Sequence, residues 1–134
     1  KKQYIGIVQG IPNSAKAIID APIGRNKLNR KTMSITKEGR HSLTEYAITK
    51  SNNNMSLLKI TLLTGRTHQI RVHLKAIGHP IIGDILYGKK SKYVNRQMLH
   101  AYKLSFKDVQ NNNIKVESEP EKDMKEFIEF YFNN

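Results

Sequence analysis

Residues 55–80 read MSLLKITLLTGRTHQIRVHLKAIGHP, and within this run the apolar spacing changes period. At its start Leu58, Ile60 and Leu62 alternate with Lys59 and Thr61, the period of two expected of a half-buried strand. Beyond Thr64 the spacing lengthens. Ile70, Leu74 and Ile77 fall at i, i+4 and i+7, which marks one face of a helix. Thr64 is placed to cap that helix, Gly78 to end it in a left-handed turn, and Pro80 to stop it resuming.

Working outward, residues 43–50 form a second β-prone run, joined to the first by Ser51-Asn52-Asn53-Asn54, a composition that favours a hairpin. Upstream, Tyr4-Ile5-Gly6-Ile7-Val8 reads as a strand and residues 17–23 as a short extended segment ending at Gly24. A basic, turn-rich stretch follows at residues 25–31, RNKLNRK, before residues 32–36 and the turn-like Lys37-Glu38-Gly39-Arg40. Downstream, Gly83 and Gly88 bracket a loop. Residues 98–106 read as a strand with His100, Tyr102, Leu104 and Phe106 on one side, and an Asn-rich turn leads into a strand at 114–117. Ser118 and Glu121 have capping-box spacing ahead of a last helix with Met124, Phe127, Ile128 and Tyr131 as its apolar stripe. The expected fold is mixed α+β: a mostly antiparallel sheet with a few flanking helices.

The chain has 134 residues, the size of one domain, and no cysteine. Disulfide scaffolds, thiolate metal sites and cysteine nucleophiles are therefore excluded. No apolar run approaches the roughly 20 residues of a membrane span, so a soluble, cytoplasmic protein is expected. Charge is the strongest compositional signal. Lys plus Arg is 23 against 11 for Asp plus Glu, a net +12, and residues 117–129 alone hold six of the acids. The basic remainder suits a polyanion, with RNA or DNA foremost. The acidic last helix is expected to pack against the domain and leave RNA to other surfaces.

Residues 64–73, TGRTHQIRVH, concentrate hydrogen-bonding side chains where a strand hands over to a helix. Arg66 lies near the positive helix end with its two-oxygen fork, and Thr67, His68 and Gln69 add donors for a phosphate or carboxylate. Arg71 is one position, about 100°, round from Ile70, so it borders the buried stripe and needs an acid partner. An acid held by such an arginine stays ionised, as a carboxylate nucleophile must. A purely structural ion pair is the competing reading. His68 and His73 are five apart, roughly 140° round a helix, which suits joint metal ligation poorly. No metal site is expected.

The run at residues 62–88, LLTGRTHQIRVHLKAIGHPIIGDILYG, closely resembles the hallmark motif of the RluA-type RNA pseudouridine synthases. Lys2-Gln3-Tyr4 with Val8 and Gly10, DAPIGR at 20–25 and LHAYKLSF at 99–106 are similar to further motifs of that family, in the expected order. The resemblance implies an isomerase that detaches uracil from its ribose in RNA and rejoins it through C5, without metal or cofactor. It implies that Tyr4 stacks on the flipped base, that Arg71 pairs with a catalytic aspartate, and that Leu99 walls the site. Arg25, Arg66, Thr67, His68 and Gln69 are then expected to support the site or contact RNA.

The family aspartate belongs to an H-R-L-D type motif upstream of the tyrosine motif, which nothing here matches. Asp20 and Asp84 lie elsewhere and are not expected to be nucleophiles. The chain is therefore expected to be the C-terminal part of one catalytic domain, incomplete at its N-terminus and inactive alone, with the carboxylate for Arg71 outside it. Its parent would modify ribosomal or transfer RNA. The rival reading is a non-catalytic basic RNA-binding module acting in ribosome assembly.

Overall fold

The computed structural model describes residues 1–133. At its centre runs β1 (Lys2–Gln9), whose alternate residues serve two different cores. Tyr4 and Val8 point into a cluster with Tyr46, Leu58, Ile60, Ile70, Leu74 and Ile81. Ile5 and Ile7 point the other way, toward Met55, Leu57, Ile82, Met98, Met124 and Phe127. One face of the sheet therefore packs on α1 (Gln69–Ala76) and the other on α2 (Lys122–Phe132). The side chains of Ile7, Leu58, Ile60 and Leu74 are fully buried, each stabilising the fold by about 1.5–3 kcal/mol.

The remaining strands are β2 (Lys16–Asp20), β3 (Ile23–Arg25), β4 (Met33–Ile35), β5 (Leu43–Ser51), β6 (Met55–Leu62), β7 (Leu99–Lys107) and β8 (Asn113–Glu117). Six of the strands form one antiparallel sheet in the order β2-β5-β6-β1-β7-β8, and β3 and β4 make a separate hairpin. The fold is the expected α+β arrangement. The β5–β6 hairpin also closes as expected, with the Asn52 side chain accepting from the backbone N–H of both Asn54 and Met55 at 2.8 Å. No helix among the described residues is long and apolar enough to cross a membrane.

Four local expectations are corrected. The β6 strand is more than half-buried: α2 covers its second face at Met55 and Leu57, which are buried along with Leu58 and Ile60, and of that face Lys59 is exposed. Thr64 does not cap α1, because its hydroxyl accepts from Leu43 N–H at 2.9 Å and donates to Gln69 Oε1 at 2.8 Å. The cap position falls to His68, in left-handed conformation (φ 55°) and without a side-chain cap. Ser118 does not cap α2 either; its N–H bonds to Tyr102 O, and α2 begins behind Glu121. Finally, β7 does not keep His100 and Leu104 on one side. A bulge opposite Gln3 and Tyr4 shifts the register, so His100 pairs with Ile5 and Leu104 with Lys2, on opposite faces.

Candidate active site

Arg71 projects from the edge of the α1 stripe and is met by Asp84. Its Nε donates to Asp84 Oδ2 at 2.8 Å and its Nη2 to Asp84 Oδ1 at 2.9 Å, a bidentate pair. Asp84 is only 2% exposed. The chain delivers it there by stitching the segment after α1 onto β1: Gln9 N–H bonds to Pro80 O, Ile82 N–H to Ile7 O, and Met98 N–H to Ile82 O. Gly83, at φ 83°, then turns the backbone so that the carboxylate faces α1. Asp84 Oδ1 also accepts from the N–H groups of Leu86 and Tyr87 at 3.1 and 3.2 Å. Burial pushes the Asp84 carboxyl up, but Arg71 and these backbone donors outweigh it and hold the group below the usual carboxylate range. The hydrogen bonds to Asp84 correspondingly raise Arg71.

This corrects the expectation that the acid partner of Arg71 lies outside the chain. Asp84 supplies the charge that a half-buried guanidinium requires. The pair still leaves one edge of the fork open. Arg71 Nη1 has no acceptor among the described residues and is not sealed from solvent, so it can take an oxygen of a second carboxylate or of a phosphate.

Tyr87 closes the other side of this cluster. Its ring lies under the guanidinium, 5.0 Å from Arg71 Cζ to the ring centroid. Its hydroxyl accepts from Met33 N–H at 2.8 Å and contacts His68 Nδ1 at 2.7 Å. The phenol oxygen thus ties the His68 ring to the β3–β4 hairpin through two hydrogen bonds. Burial, then the Arg71 charge, lowers the His68 pKa and keeps the ring neutral.

The other anticipated residues divide by role. Tyr4 and Leu99 share the α1 face of the sheet, both packed on the cluster that holds Ile70 and Leu74. Tyr4 also lines a concavity of about 270 Å³ with Lys2, Ala101, Tyr102, Leu104 and Val116. Among the described residues no hydrogen bond or ring contact joins Tyr4 to Arg71. Arg66 is half-buried, with Nε donating to His41 O, and Thr67 is exposed. Arg25 is exposed at the end of β3, where it braces the loop by donating to Arg30 O at 3.1 Å. Gln69 is buried and occupied: its amide donates to Leu43 O and Thr44 Oγ1 and accepts from Thr64 and Arg66 N–H. It clamps the turn into α1 and presents no group to a ligand.

His73, fully buried, bonds Thr44 Oγ1 at 2.7 Å and Ala21 O at 2.9 Å, so both ring nitrogens serve the fold. Sequence reasoning missed Asp84 and Tyr87 as partners of Arg71. The signal for Asp84 was present, since Arg71 demanded an acid and the same run carries one 13 residues on. A concavity of about 950 Å³ lies between α2 and residues 83–95 and holds none of the anticipated residues.

The family model described as RNA pseudouridylate synthase matches residues 1–76. An uncharacterised RNA pseudouridine synthase of Mycobacterium bovis is 47% identical over 110 residues, covering 78% of this chain and 36% of that protein. The uncharacterised RNA pseudouridine synthase YhcT of Bacillus subtilis is 38% identical over 136 residues, covering 99% of this chain and 45% of that protein. The solved structure of human RNA pseudouridylate synthase domain-containing protein 1 superposes with a TM-score of 0.80 at 30% identity, over 89% of this chain and 54% of that one. The chain thus spans less than half the length of these curated relatives.

Proposed function

The chain belongs to the RluA-type RNA pseudouridine synthase family, and on that premise we propose that it is the C-terminal part of a catalytic domain whose parent protein isomerises uridine to pseudouridine in RNA. The reading extends to ribosomal RNA, or else transfer RNA, as substrate and to the cytoplasm as its setting. The reaction breaks the bond from ribose C1′ to uracil N1 and forms one from C1′ to C5. The proton displaced from C5 is balanced by one gained at N1, so no oxidant or reductant is required. What the protein must supply is a flipped base, a nucleophile kept ionised, and charge control around it.

The observation that carries this reading is the half-occupied fork of Arg71. Asp84 fixes two of its nitrogens, and the third, without an acceptor among the described residues, is left to meet a further oxyanion, while Tyr4 and Leu99 pack on the sheet face that α1 covers. A catalytic carboxylate meeting Nη1 would be held negative there by hydrogen bonding and charge together. Tyr4 would offset part of the cost of unstacking the uridine, with base–aromatic stacking contributing about 1–3 kcal/mol. The basic surface would hold the RNA backbone without regard to sequence.

The test compares the complete protein with the 134-residue chain on RNA labelled with tritium at uridine C5. The complete protein releases tritium and the chain alone does not. In the complete protein, Arg71→Ala lowers turnover by at least about 100-fold while RNA affinity changes little. Turnover by the chain alone refutes the assignment of the nucleophile to a segment outside it. Survival of turnover in Arg71→Ala, with affinity lost, makes Arg71 an RNA anchor and removes its catalytic part.

A further inference from the structure

We propose that Tyr87 is a positioning residue for this reaction, setting the plane and reach of the Arg71 guanidinium by backing it with its ring and tying its surroundings together through its hydroxyl. The inference rests on the functional reading above. Three separate segments converge on this one side chain, which is only 4% exposed. The Arg71 guanidinium from α1 lies over the ring. The β3–β4 hairpin reaches the phenol oxygen through Met33 N–H, and the left-handed turn before α1 reaches it through His68 Nδ1. The loop carrying Asp84 is fixed to the same residue, because the Tyr87 backbone N–H donates to Asp84 Oδ1. Ile23, Val72 and Tyr87, with Met33 against them, form a small core of their own that holds these pieces together.

A bidentate pair by itself leaves the guanidinium free to rock about the line joining its two hydrogen bonds. That motion carries Nη1 out of place. A ring packed on one face of the fork removes it, and a misplacement of about 1 Å at a reacting centre is enough to cost about 100-fold in rate. The hydroxyl adds a second constraint by holding His68 Nδ1 at 2.7 Å, which fixes the imidazole beside the guanidinium. The groups facing His68 are Arg71 and Arg25, which oppose its protonation, and Asp84, which favours it. A proton on that ring would set a second positive charge against Arg71.

The experiment uses the complete protein with Tyr87→Phe and Tyr87→Leu, and Tyr46→Phe as the control. Tyr46→Phe also deletes a buried hydroxyl, which donates to Ser14 O at 3.0 Å, but contacts neither Arg71 nor His68. Tyr87→Phe is expected to lower kcat about tenfold and Tyr87→Leu about 100-fold, with KM for RNA within about twofold. Tyr46→Phe loses stability and keeps kcat.

The Arg71 Nε–H nuclear magnetic resonance signal reports the guanidinium without any need for turnover. It shifts and exchanges faster in Tyr87→Leu and holds in Tyr46→Phe. If Tyr87→Phe and Tyr87→Leu lose only stability, with kcat and the Arg71 signal unchanged, Tyr87 is structural and the inference fails. That failure is distinct from failure of the functional reading, which shows as turnover surviving in Arg71→Ala whatever Tyr87 does.

Discussion

His73 shows how far a residue's chemistry depends on what the fold places against it. By type it is a candidate base or metal ligand; by position it is a two-ended strut. Gln69 donates to Thr44 Oγ1, Thr44 in turn donates to His73 Nδ1, and His73 Nε2–H donates to Ala21 O. With the ring neutral every group in this chain of bonds is matched, and burial lowers the His73 pKa from its ordinary value of 6.5. The unfolded chain therefore takes up a proton at a pH where the native protein does not. Stability is at its full value above about pH 6.5 and falls as pH drops toward the lower native pKa, by up to about 1.4 kcal/mol per pH unit for this one site. His68, lowered as well, adds to the same slope. Thermal midpoints measured from pH 8 to pH 5 should therefore decline, and His73→Gln should flatten the decline to what His68 contributes. An equal slope in both proteins would show that native His73 takes up its proton as readily as it does in the unfolded chain.

Among the elements, the segment between α1 and β7 decides whether Arg71 has its partner, and Gly83 is its most constrained point. A methyl there would overlap the Arg96 carbonyl oxygen and lie 2.8 Å from its carbon, at a backbone conformation that costs any L side chain. Gly83→Ala is expected to cost about 2–4 kcal/mol and to lower turnover with stability, because Asp84 moves with it. Gly65→Ala, with nothing within 4 Å of its Cβ, should stay within about 0.5 kcal/mol of the parent. Denaturant midpoints of the two variants check the contrast. The same segment marks where sequence reading stopped. The face of α1 and its end at Gly78 were legible because Ile70, Leu74 and Gly78 obey local rules. The β5–β6 hairpin was legible from its Asn-rich turn. Asp84 meeting Arg71 was not, since it depends on Pro80 and Ile82 bonding to β1, some 70 residues earlier. The bulge opposite Gln3 and Tyr4 was equally hidden, because a register shift between strands so far apart leaves no mark on either strand alone.

Over the whole molecule, the net charge of +12 conceals a division between the two faces of the sheet. The hairpin loop at residues 25–31, packed beside α1, carries Arg25, Lys27, Arg30 and Lys31 with no acid among them. It is an ordered loop: Asn26 Oδ1 accepts from Leu28 N–H at 2.9 Å and Asn29 Oδ1 from Lys31 N–H at 3.2 Å. On the opposite face α2 holds its lysines against acids, with Lys122 near Glu126 at 3.7 Å and Lys125 bonded to Glu119. If RNA binding followed net charge alone, removing any two lysines or arginines would weaken it equally. If RNA lies on the α1 face, placement decides. Arg30→Ala with Lys31→Ala and Lys122→Ala with Lys125→Ala change the net charge by the same amount, so the comparison isolates position. The loop pair is expected to weaken affinity and reduce the slope of log K against log salt by about 1–2, because a phosphate that the protein no longer neutralises keeps its condensed counterion. The α2 pair should leave affinity and slope unchanged, since its charges are already spent on neighbouring carboxylates. Equal losses in the two double variants would place the RNA by bulk charge and detach it from the face that carries Arg71 and Tyr4.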